Sequence, residues 1–190
     1  MAGKRQFDEQ RTLELARDVF WVKGYGATSI QDIANASGVL RGSLYNAYQD
    51  KETLFLQVFE GYARDFLAEA ARVLADPDAG RALREFFDFT IASMTAGEPA
   101  RGCLTTKTAI DSRADDDRIR AALRDLLDRL EELVRDRLST EENRLTLPAP
   151  EAARVLVTMT RGIVVMERVY QDPERLKATA RSLIDVVLPS

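Results

Sequence analysis

Residues 28–51 read Thr-Ser-Ile-Gln-Asp-Ile-Ala-Asn-Ala-Ser-Gly-Val-Leu-Arg-Gly-Ser-Leu-Tyr-Asn-Ala-Tyr-Gln-Asp-Lys. Ser29 and Asp32 stand three apart, the spacing of a capping box with Asp in place of the usual Glu or Gln. The Ser29 oxygen can accept from an N-terminal amide, and Asp32 puts negative charge where the helix dipole favours it. Ile30 and Ile33 give the short helix an apolar face, and Ala34 is small where a second helix must cross closely. Gly38 suits the left-handed residue that ends a helix. A second short helix then begins near Leu40–Arg41, with Leu44 and Tyr48, four apart, packing back on the first. Arg41, Gly42, Ser43, Tyr45 and Asn46 are left facing outward. A small residue, a glycine four later and an apolar residue six after that is helix-turn-helix spacing. The outward set offers a bidentate donor, a hydroxyl, an amphipathic ring and an amide. These groups read base edges or grip phosphates in a major groove.

Around this stretch the glycines and prolines, ten and six in 190 residues, fall mostly in clusters. Between them the periodicity predicts helices over about 7–23, 30–36, 41–47, 51–75, 80–96, 103–112, 116–138, 150–170 and 174–187. In 116–138, Ile119, Leu123, Leu126, Leu130 and Leu133 step by four and three. Nothing alternates like a strand and nothing repeats. The expectation is an all-α chain of about nine helices, with a helix-turn-helix domain at 1–53 and a helical body at 54–190.

Composition excludes much chemistry. The chain has no histidine and one cysteine, Cys103. Ser-His and Cys-His pairs, histidine zinc sites, Cys-x-x-Cys sites and intrachain disulfides are therefore absent. No apolar run reaches membrane-spanning length and no secretory leader is legible, so a cytoplasmic location without membrane attachment is expected. The net charge is −4, yet residues 1–53 balance seven basic against seven acidic side chains. A small local nucleic-acid footprint remains compatible with this. Asp115-Asp116-Asp117 reads as a loop and helix start rather than a metal patch.

The run Leu13…Ala16…Phe20…Lys23-Gly24-Tyr25…Ala27-Thr28-Ser29-Ile30…Asp32-Ile33-Ala34…Gly38-Val39…Gly42-Ser43-Leu44-Tyr45…Tyr48…Lys51-Glu52…Leu54-Phe55 resembles the TetR family of transcriptional regulators. The resemblance implies a DNA-binding repressor with no catalytic activity and no cofactor. It implies double-stranded operator DNA as partner, met by Thr28, Ser29, Gln31, Arg41, Gly42, Ser43, Tyr45, Asn46 and Lys51. Two departures stand out: Leu40 occupies the place of a capping serine, and Ala47 that of a bulky aromatic. The resemblance also implies a homodimer through 150–170 and 174–187, whose broad stripes include Val155, Val157, Val164 and Val165. Finally, it implies a body that binds a small-molecule effector and releases DNA.

By helical phase the effector pocket draws on Tyr62, Phe66, Phe86, Phe89, Thr90, Met94, Leu127, Met159 and Met166, making the effector apolar or aromatic. Cys103 is expected in the first turn of a helix with Lys107 on the same face. A Gly-Cys-Leu start resembles a subset of the family in which such a cysteine senses oxidants or electrophiles. Two readings of Cys103 stand, a sensing thiolate or an inert core residue. Against the regulator stands an all-α ligand-binding protein or enzyme with a degenerate DNA motif.

Overall fold

A computed structural model of the chain describes residues 7–97 and 100–189. Lys4 and Arg5, counted among the basic residues of 1–53, and Pro99 lie outside them. Among the described residues there are nine α-helices and no strand. They are α1 (Glu9–Lys23), α2 (Ile30–Ser37), α3 (Arg41–Tyr48), α4 (Lys51–Leu74), α5 (Ala79–Thr95), α6 (Leu104–Ala109), α7 (Asp117–Leu138), α8 (Ala149–Tyr170) and α9 (Pro173–Val187). Short 3-10 turns cover Ser112–Ala114 and Ser139–Arg144. No helix among these is long and apolar enough to cross a membrane.

Local chemistry sets the starts. Asp8, Ser29, Asp78 and Asp172 each accept a backbone N–H three residues on, satisfying orphan amides of α1, α2, α5 and α9. Proline opens α8 and α9, where its missing N–H costs nothing. The helix expected over 103–112 is shorter: α6 stops at Ala109, because Asp111 turns away to cap the 3-10 turn through the N–H of Arg113.

The chain forms two compact units. The first holds residues up to Arg64 together with Leu104–Leu123, and the second Asp65–Cys103 with the chain from Arg124 onward. The compact units do not divide at 53/54. Helix α4 runs on without interruption past that point, and α6 belongs with the N-terminal helices. The first unit is built on aromatics: Phe55 meets Phe20 at 5.1 Å, Tyr25 at 4.9 Å and Phe59 at 5.8 Å between ring centroids. Ala16, Ile33 and Leu44 are fully buried beside them. In the second unit α5, α8 and α9 pack against one another around Leu83, Phe86, Leu156 and Ile184.

Candidate nucleic-acid interface

Helix α2 begins with the capping box anticipated above. Asp32 N–H donates to Ser29 Oγ at 3.2 Å, and Ser29 N–H donates to Asp32 Oδ2 at 2.8 Å. Lys23, at the end of α1, donates to Asp32 Oδ1 at 2.5 Å. The Lys23 ammonium first, and the Ser29 donors after it, hold the Asp32 carboxyl far below the usual carboxylate range. Gly38 ends α2 at φ 70°, ψ 9°, a backbone that a side chain would strain. Leu44 and Tyr48 then seat α3, at 0% and 1% exposure. This leaves Arg41, Gly42, Tyr45 and Asn46 exposed and Ser43 half-buried on one end of α3.

Two features prepare that end for an anion. No side chain caps α3, since Leu40 stands at its N-cap, so its first amides keep no side-chain acceptor. A Cβ at Gly42 would meet nothing within 4 Å, so the backbone there is open to a close approach. The Arg41 guanidinium lies 5.4 Å from the Tyr45 ring centroid, with its Nη2 3.4 Å from the Tyr45 hydroxyl. The two side chains form one exposed pair. Gln31 is exposed on α2 and donates to Asn35 at 2.8 Å. Ser29, Gln31, Arg41, Gly42, Ser43, Tyr45 and Asn46 thus lie at the surface of the α2–α3 pair, Ser43 half-buried.

Two of the expected contact residues have partners within the chain. Thr28 is 3% exposed, and its hydroxyl donates to the Gly24 carbonyl at 2.7 Å. It fastens the turn before α2. Lys51 is half-buried; its Nζ donates to the Tyr25 carbonyl at 3.0 Å and sits 4.2 Å from the Tyr25 ring centroid. Burial first, and the Arg113 charge after it, push the Lys51 ammonium below its ordinary range. Its place in the structure is a strut under the α1–α2 turn.

That turn is also gripped from α6 and the residues after it. Lys107 Nζ donates to the Trp21 carbonyl at 2.7 Å, and Gly26 N–H donates to Asp111 Oδ2 at 2.7 Å. A Cβ at Gly26 would lie 2.2 Å from Arg113 Nε and 2.5 Å from Asp111 Oδ2, so this glycine is the one residue that admits the clamp. Arg118 is ion-paired to Glu52 at the start of α4. Burial pushes the Asp111 carboxyl up, but the N–H groups of Arg113 and Gly26 outweigh it and leave it below its ordinary value. Nothing in the helical periodicity announced Asp111 or Arg118, because their partners, Gly26 and Glu52, lie far away in sequence.

The expected effector residues scatter. Tyr62 belongs to the first unit, where its ring meets Trp21 at 5.2 Å and Phe59 at 5.7 Å. Trp21 is thus a packing residue. Phe66 and Phe89 pair at 5.0 Å in the second unit, where Phe86, Thr90 and Met94 are buried. Leu127 and Met159 are half-buried. Met166 is 47% exposed on α8.

Cys103 precedes α6 rather than lying in its first turn, and at six residues α6 carries little dipole. Cys103 is 7% exposed, and its sulfur accepts from Arg161 Nη1 at 3.2 Å. Lys107 is engaged at Trp21, so the basic partner of the thiol is Arg161, which the sequence reading missed. Asp116 caps α7 through the N–H groups of Arg118 and Ile119, and Asp115 and Asp117 flank Arg120. No metal-holding group of side chains occurs among the described residues.

Residues 13–58 match the model of "Bacterial regulatory proteins, tetR family", and residues 79–182 that of "Transcriptional regulator LmrA/YxaF-like, C-terminal domain". The chain belongs to the TetR family. Among relatives, it is 31% identical over 112 residues to the uncharacterized HTH-type transcriptional regulator YezE of Bacillus subtilis (strain 168), covering 58% of each chain. It is 32% identical over 99 residues to the HTH-type transcriptional repressor ComR of Escherichia coli (strain K12), covering 51% of this chain and 47% of that one. The match thus spans about half the length of each of these two relatives. Among solved TetR structures, a cysteine mutant of the regulator CifR bound to 26-base-pair operator DNA superimposes with a TM-score of 0.85. It is 28% identical, over 97% of this chain and 98% of that one.

Proposed function

We propose that this TetR family member is a homodimeric, sequence-specific DNA-binding repressor released from its operator by a small molecule. The observation that carries the reading is the exposed end of α3. Arg41, Ser43, Tyr45 and Asn46 project from α3, which buried Leu44 and Tyr48 seat beside α2 and its Ser29–Asp32 box. Such a helix enters a major groove by its N-terminal end, and a dimer presents two of them about 34–36 Å apart. The TetR neighbour in complex with operator DNA supports the same placement.

The dimer surface we assign to α8 and α9. Val155, Met166, Val169 and Tyr170 on α8 and Val186 on α9 are 38% to 68% exposed, an apolar area that a second copy would cover. The effector acts through the body. Helix α4 (Lys51–Leu74) carries residues of both units. The Lys107 and Asp111 bonds give α6 and its following turn a grip on the α1–α2 turn. An effector that prefers the non-binding arrangement of these elements weakens operator binding, with coupling of about 1–3 kcal/mol. Operator must weaken effector binding by the same factor.

In vitro selection from random duplexes, followed by titration of the selected sequence at several salt concentrations, tests the reading. A two-half-site operator, bound by a dimer with a steep salt slope, is expected. Failure to enrich any sequence, or equal affinity for every duplex, would leave the helix-turn-helix without its function.

A further inference from the structure

Helix α8 turns one face into the core of the second unit. Leu156, Thr160 and Ile163 lie on it, all buried, and Glu167 follows one turn beyond Ile163 in the same phase. Glu167 is 3% exposed, and no hydrogen-bond donor reaches its Oε2 among the described residues. A carboxylate oxygen buried without a donor is costly for a core to hold. Several polar side chains of α5, α8 and α9 are engaged elsewhere. The Thr160 hydroxyl donates to Val157, and that of Thr90 to Phe86. The Arg161 guanidinium is spent on Thr160 and Cys103, Arg175 lies over the Tyr170 ring, and Lys177 pairs with Glu174. The buried faces of α5 and α9 that pack on α8 are otherwise hydrocarbon.

We propose that Glu167 is the anionic anchor of the effector site, and that the effector is an apolar molecule carrying a protonated amine. The ammonium supplies the charge and the donor hydrogens that Oε2 lacks, and its hydrocarbon part lies among the apolar side chains. The proposal rests on the reading of the chain as an effector-responsive regulator and names the chemical class of that effector. Helical phase gathers mainly apolar and aromatic side chains there and no charged group on α8. Glu167 escaped it because a glutamate near the end of a helix reads as solvent-facing until its neighbours are known.

The test uses the full-length dimer without DNA. Calorimetric titration with n-alkylammonium ions of four to eight carbons is compared with the matching n-alkanols. At least one chain length should bind tenfold or more tightly as the ammonium, and Glu167→Gln should bring that preference within twofold. No ammonium preference at any length, or a preference that survives Glu167→Gln, overturns the proposal. Denaturant midpoints of the ligand-free protein give a second arm. Glu167→Gln and Glu167→Met should unfold at the same or higher denaturant than the parent. If both unfold at lower denaturant, the folded dimer already satisfies this carboxyl, and the proposal is wrong. Operator titration of the parent protein stands apart: if it binds no operator, the regulator reading fails whatever the amines do.

Discussion

Replacing Arg41 by Ala removes the one guanidinium on the exposed end of α3. A bidentate arginine–base contact contributes about 1–3 kcal/mol of discrimination. In the free protein the guanidinium already has a partner, since it lies 5.4 Å from the Tyr45 ring centroid. That exposed cation–π contact holds about 0.5–1 kcal/mol, which binding must give up or keep. The net loss is then roughly 1–2 kcal/mol per half-site, or about 2–4 kcal/mol for a dimer on two half-sites. This corresponds to about 30- to 700-fold in Kd. Fluorescence anisotropy of a labelled selected operator at one fixed salt concentration measures it. The affinity for an unrelated duplex should fall much less, so the specificity ratio shrinks. Tyr45→Phe keeps the ring and should cost little beyond the hydroxyl. If Arg41→Ala binds its operator within twofold of the parent protein, Arg41 does not face the groove and the docking of α3 is wrong.

Other expectations follow from the residues around the α1–α2 turn and from the thiol. Lys51→Met should lower unfolding stability by about 1–2 kcal/mol, through the lost Tyr25 contacts, and leave the salt slope of operator binding unchanged; a slope lower by about one per subunit would put Lys51 on a phosphate instead. The Asp111 carboxyl titrates lower in the folded than in the unfolded chain, so its stabilisation is complete above about pH 4 and fades as pH falls through the folded value. The stability gap between the parent and Asp111→Asn in urea titrations should therefore be widest near neutrality and close in acid; a gap unchanged down to about pH 3 would contradict the clamp. Cys103, buried against Arg161, should react with an aryl disulfide only as the native protein opens, and quickly once urea unfolds it; labelling of native protein at the unfolded rate would remove the packing reading.

The helix-turn-helix was legible because its information is local. A capping box, a glycine turn and two anchoring residues all lie within 24 residues. The long helices were legible because their apolar steps of three and four persist over five turns or more. What escaped needs tertiary pairing. Lys51 reads as a free surface cation until Tyr25 is found beneath it, and Thr28 as a free hydroxyl until Gly24 is. Periodicity carried the 103–112 helix on to its end, but Asp111 has a partner at Gly26 and breaks it there. Met159 and Met166 share one stripe with Gly162. Helical phase cannot say whether such a stripe faces the core of its own chain or a second copy.

Gly162 decides between those two faces. It lies on the α8 stripe of Val155, Met159, Met166 and Val169, spaced by four and three, of which Val155, Met166 and Val169 are exposed. Within the protomer an added Cβ would meet only the Met159 sulfur, at 3.7 Å, an ordinary contact. Glycine inside a helix costs about 1 kcal/mol relative to alanine. Taken alone, Gly162→Ala should therefore stabilise the folded protomer by up to that amount. Glycine at that place has a use only if another backbone comes close, and the open side of the stripe is where a second copy would cross. Gly162→Ala should then weaken the dimer by at least tenfold in sedimentation equilibrium while each chain keeps its helical content. Greater stability with an unchanged dimer dissociation constant would move the interface off this stripe. The exposed valines of α8 would then need a different cover.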